Sequence, residues 1–199
     1  MRASEKTRRL TGLALMTAVI VVLQVVASFV KFGPFSITLA LAPILVGAAL
    51  YGPKAGGYLG GVFGVVVLAA CIMGWGGGGN ILWNASPFLT AVICLGKGIA
   101  AGLAAGLVYR AIVKDSLARG RMMAGSIAAG IVTPVVNTGL FVVALVLLFY
   151  GILVNWAGGS NLLYYIVFGL TGINFVLELA INLVLSTVIV RVIGARVLG

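Results

Sequence analysis

From Leu10 to Val30 no residue carries a charge, and five further stretches of the chain are nearly as free of charge. A hydrocarbon core of about 30 Å is crossed by roughly 20 apolar helical residues. The stretches are Leu10–Val30, Phe35–Tyr51, Gly56–Trp75, Phe88–Ile112, Met122–Tyr150 and Leu162–Ile193. Read as transmembrane helices, they predict an all-α membrane protein: one six-helix domain over residues 1–199. Leu10–Val30 also resembles a signal peptide, but it is long enough to span and more spans follow, so it reads as the first helix of the mature protein.

Composition agrees with a lipid environment. Hydrophobic residues make up 62% of the chain and charged residues 8%, where a soluble domain carries about a quarter. So few charges cannot cover a water-soluble surface. The net charge of +10 does not point to nucleic acid, because the basic residues sit in short clusters between apolar runs. With the N-terminus in the cytoplasm, the inner segments hold Arg2, Lys6, Arg8, Arg9, Lys54, Arg110, Lys114, Arg119, Arg121, Arg191 and Arg196. The outer segments hold only Lys31, and Lys97 lies within a span. This positive-inside pattern puts both termini in the cytoplasm.

Several chemistries find no residues here. Histidine is absent from the sequence, which removes the commonest general base and metal ligand. No Cys/His cluster suits a metal, and Cys71 and Cys94 lie in apolar runs where a thiol behaves as a small hydrophobe. There is no phosphate-binding loop ending in Lys-Ser/Thr. Gly76–Gly79 reads as a flexible external hinge. The chain is therefore expected to be neither an enzyme nor a cofactor protein.

Charged groups at the bilayer midplane are costly and usually have a partner or a function. Lys97 lies midway along the fourth expected span and Glu178 midway along the sixth. A structural ion pair and a substrate site both fit. Asn174, Glu178 and Asn182 follow at i, i+4 and i+8 on one face. Asn137 sits three residues after Pro134, where a proline frees a carbonyl and can bend the helix. Thr90 and Cys94 share a stripe with Lys97. Spans four, five and six thus bring polar groups to similar depth, as a buried pocket for a small polar ligand requires. Its outer rim would draw on Trp83, Asn84, Trp156, Tyr164 and Tyr165. Trp75, Trp83 and Trp156 fit an interfacial aromatic belt equally well.

Small residues let membrane helices approach. Gly57, Gly61 and Gly64 recur in span three, and Gly98, Gly102 and Gly106 in span four, both as packing seams. Ala14 and Ala18 form a small face on span one, for internal packing or for a partner helix.

These features resemble the substrate-binding S component of energy-coupling-factor (ECF) vitamin transporters. The resemblance rests on six spans, a basic N-terminus, Ala14-x-x-x-Ala18, and the stretch from Phe32 through Pro43 to Gly47–Gly56. It implies a multi-pass subunit of the bacterial cytoplasmic membrane that binds a water-soluble vitamin without cofactor or metal. Its partners would be a transmembrane coupling subunit, docked at Ala14 and Ala18, and two ABC-type ATPases. Riboflavin-binding members carry an acidic residue after span one, where this chain has Pro34-Phe-Ser-Ile. Lys97 would suit a carboxylate, as in pantothenate or folate, unless Glu178 neutralises it. Riboflavin, another vitamin, or a purely structural subunit are the alternatives.

Overall fold

A computed structural model describes residues 5–32, 35–36, 38–75, 77–114, 118–172 and 174–184. The end of the sixth expected span, residues 185–193, lies outside the described residues, as do Arg2, Arg191 and Arg196. The described chain is helical apart from a two-residue ribbon, 31–32 against 35–36. The helices are α1 (Glu5–Ser28), α2 (Leu41–Tyr51), α3 (Pro53–Ile72), α4 (Gly77–Ala85), α5 (Pro87–Val113), α6 (Arg119–Leu148) and α7 (Tyr150–Ala157). Then come α8 (Leu162–Gly172) and α9 (Asn174–Val184), which meet at a 44° bend.

Among the described residues, α1, α3, α5 and α6 are long and apolar enough to cross a membrane, and the bent pair α8–α9 makes a fifth candidate. The stretch expected as a second span departs from this. Pro43 is compatible with only the first turn of a helix, and the helix accordingly begins at Leu41. Its 11 residues reach about 16 Å at 1.5 Å each, about half a hydrocarbon core. At its end Gly52 takes φ +88°, a conformation open to glycine, and Pro53 starts α3.

The α3–α5 pair is the backbone of the bundle. A Cβ at Gly56 would collide with the carbonyl of Gly102, one at Gly60 with that of Gly98, and one at Gly64 with that of Cys94. Ascending numbers on one helix meet descending numbers on the other, so the two run antiparallel with their backbones in contact. The packing register in α3 is thus Gly56, Gly60 and Gly64, not the expected Gly57, Gly61 and Gly64. Gly57 and Gly61 instead face the side chains of Leu103 and Ile99. On α5, Gly98, Gly102 and Gly106 all serve the seam, with Gly106 against Pro53.

The expected hinge at Gly76–Gly79 is largely helical, since α4 starts at Gly77. Two contacts explain it. Asn80 Nδ2 donates to the Cys71 carbonyl at 3.0 Å, satisfying an end group that α3 leaves without an intrahelical partner. Gly79 lies against Cys71, and a Cβ there would come 2.6 Å from its Sγ. A larger residue at 79 would need the Cys71 side chain to give way.

Three apolar clusters fill the bundle. One joins α2, α5 and α6 through Leu45, Ala105, Tyr109 and Ala129. A second joins α1, α2 and α3 through Ile20, Ile44, Leu59 and Phe63. The third joins α4–α8 through Leu82, Ile93, Leu145, Leu153 and Leu170.

Candidate functional site

Between these clusters lies a cavity of about 90 Å³, below the roughly 300–1,000 Å³ of common ligand pockets. Its walls come from α1, the segment before α2, α3, α4, α5, α6, α8 and α9. The glycine seam sets the position of α5, so Lys97, one residue before Gly98, enters the cavity from a fixed backbone. Its Nζ stands 4.8 Å from the ring centre of Phe141 and 5.8 Å from that of Phe63. Both are cation–π distances.

Glu178 faces the same cavity from α9 and is 5% exposed. Thr138 Oγ1 on α6 donates to its Oε2 at 3.5 Å, and Thr38 lies beside the same carboxylate. Among the described residues no ion pair within 4.0 Å joins Lys97 to Glu178. The bend that brings Glu178 inward follows a π-helical stretch, Tyr165–Gly172. There the Thr171 hydroxyl donates to the carbonyls of Ile166 at 2.8 Å and Val167 at 3.3 Å. Irregular turns of this kind recur at functional sites. The Asn161 side chain fixes the start of α8 by accepting from the amides of Leu163 and Tyr164, as an N-cap does.

Of the nine expected substrate-binding residues, the structure brings five together in the cavity wall: Thr90, Lys97, Asn137, Asn174 and Glu178. Asn182 does not join them. Its Nδ2 donates to the Glu178 carbonyl at 2.7 Å, and its backbone packs near Gly130 of α6. The expected rim residues also fall elsewhere. Helix α4 contributes Gly79 and Leu82 to the cavity wall, and neither Trp83 nor Asn84. Asn84 is exposed and donates to Asn80 at 3.1 Å. Trp156 and Tyr165 pack on the third apolar cluster, and exposed Tyr164 meets the Phe168 ring at 4.9 Å. Trp75 meets Phe29 at 5.4 Å.

Other wall residues were not singled out from sequence: Gln24, Ser36, Thr38, Cys71, Phe141 and Thr171. Gln24 could have been found, as the one amide in the uncharged run of α1. Cys71 and Cys94 are both free and buried, and their thiols interact across α3 and α5. Every Cα–Cβ bond leans toward its helix N-terminus, so on antiparallel helices the two side chains lean toward each other. Ala14 and Ala18, outside the cavity, are both exposed on α1.

Long uncharged helices around an internal cavity with one cation and one carboxylate define a multi-pass membrane protein built to hold a small molecule. The chain belongs to the family of ECF transporter substrate-specific components, whose family profile matches residues 8–190. Members of this family are substrate-binding membrane subunits that associate with the ECF module, a membrane coupling subunit with ATPases. No curated protein matches the chain.

Proposed function

We propose that this subunit captures a small water-soluble carboxylate vitamin, with the Lys97 ammonium receiving the carboxylate. The observation that carries the reading is Lys97 itself, a cation held between two aromatic rings at the wall of a largely apolar cavity. Away from water, an ammonium–carboxylate hydrogen bond is strong enough to select an anion. Thr90, Asn137 and Asn174 provide further hydrogen bonds. The cavity's small volume favours a pantothenate-sized ligand over a folate-sized one.

The topology belongs to the same proposal: one domain over residues 1–199, six spans, both termini in the cytoplasm, in a bacterial cytoplasmic membrane. The exposed Ala14 and Ala18 face is the docking surface for the coupling subunit, and two ABC-type ATPases supply the energy. The small side chains allow a partner helix to approach closely.

The test is mass spectrometry of the small molecules released when detergent-purified protein is denatured. A stoichiometric carboxylate vitamin is the expected result. No released ligand, followed by no thermal shift with a vitamin panel, would replace this reading with that of a structural subunit.

A further inference from the structure

The charge balance of the cavity carries an inference about the ligand's other end, and it rests on the carboxylate reading above. Among the described residues, Lys97 and Glu178 are the charged side chains in the wall. An occupant offering only a carboxylate would satisfy Lys97 and leave Glu178 facing it. A buried charge left without compensation is costly.

The wall also holds acceptors without a partner. Gln24 and Asn137 are each 3% exposed, and Gln24 Oε1 and Asn137 Oδ1 have no hydrogen-bond partner. Glu178 accepts from Thr38 and, at 3.5 Å, from the Thr138 hydroxyl. The latter is long for an O–H···O bond, which is usually 2.5–3.0 Å, so the carboxylate has room for a further donor. Buried acceptors are normally paired, and Gln24, Asn137 and Glu178 all line one cavity.

We infer that the ligand has two poles, a carboxylate that meets Lys97 and a hydrogen-bond-donating group that meets Glu178. The donor is an ammonium, an amide N–H or a hydroxyl. Glu178 therefore determines specificity: it rejects carboxylates without a donor, because their apolar end would strand its charge.

The probes are straight-chain carboxylic acids of three to six carbons in three sets: unsubstituted, ω-hydroxy and ω-amino. Binding is read as a thermal shift of the full chain in detergent. Ligands this small bind weakly, so each probe is offered in large excess over the protein. An ω-amino or ω-hydroxy acid is expected to raise Tm where the unsubstituted acid of equal length does not. Glu178→Gln then separates the donors: it removes the response to the ω-amino acid but keeps that to the ω-hydroxy acid, since the amide still accepts. Equal shifts from all three sets would overturn the two-pole ligand and leave the carboxylate reading standing. No shift from any set would overturn both. The comparison in the unmodified protein decides the matter if Glu178→Gln does not fold.

Discussion

Gly60 and Gly98 approach so closely that a methyl group on either would overlap the other's carbonyl oxygen. Replacing Gly60 with alanine must therefore push α3 away from α5. We expect a loss of about 1–3 kcal/mol, the usual cost of overpacking, seen as a lower Tm in detergent. Gly61→Ala is the control. Its new methyl would meet Ile99 at 3.5 Å, an ordinary contact, and should leave Tm unchanged or slightly raised. Equal effects from the two would place the seam elsewhere.

Lys97→Met keeps much of the side chain's length and removes the charge. Hydrogen bonds to charged groups contribute about 1.5–3 kcal/mol, so ligand affinity should fall by roughly 10- to 150-fold. Tm without ligand should also fall, because the cation facing buried Glu178 is removed. Calorimetric titration with the ligand identified by mass spectrometry checks this, and unchanged affinity would remove Lys97 from the site.

Gly79→Ala should detach α4 from α3, because the added methyl meets Cys71 Sγ. Cys71→Ala removes the obstructing sulfur. The double variant should recover most of the stability that Gly79→Ala loses, a coupling of roughly 0.5–3 kcal/mol between residues in contact. A double-mutant cycle on thermal unfolding measures it. Additive losses would mean that α4 is held by contacts other than this one.

Ala14→Trp and Ala18→Trp place a large ring on an exposed stretch of α1. Binding of the coupling subunit and ATPases should be lost in a co-purification assay, while ligand retention persists. Co-purification at the unmodified level would move the docking surface away from this face.

Long uncharged runs made α1, α3, α5 and α6 legible, because only a helix satisfies its own backbone polar groups in lipid. The same rule suggested a full-length helix in the segment 35–51, whereas the helix begins only at Leu41, two residues before Pro43. It also misjudged Gly76–Gly79. Glycine is a poor helix former, and α4 depends on Asn80 and on the gap beside Cys71, neither of which is visible in local composition. The glycine register failed for a related reason. Gly57 and Gly61 are as regularly spaced as Gly56 and Gly60, and only the position of α5 selects between them. Within the cavity, Lys97 and Glu178 stood out because charges are rare in such runs. Gln24 was passed over because α1 was read for its alanines. For Trp83 and Trp156 sequence alone does not choose, because residues near helix ends suit an interfacial belt as well as a lid.

The α3–α5 seam has a mechanical consequence. Where two helices touch through side chains, each rotamer change allows a small slide, so the joint can yield by degrees. Backbone against backbone at Gly56, Gly60 and Gly64 leaves no such slack: the pair moves as one beam or separates. Any opening that admits a ligand then falls to the other walls, among them α1 with Gln24, α6 with Asn137 and the bent α8–α9 with Glu178. Lys97 rides on the beam, so its position in the cavity is tied to that of α3 as well as α5.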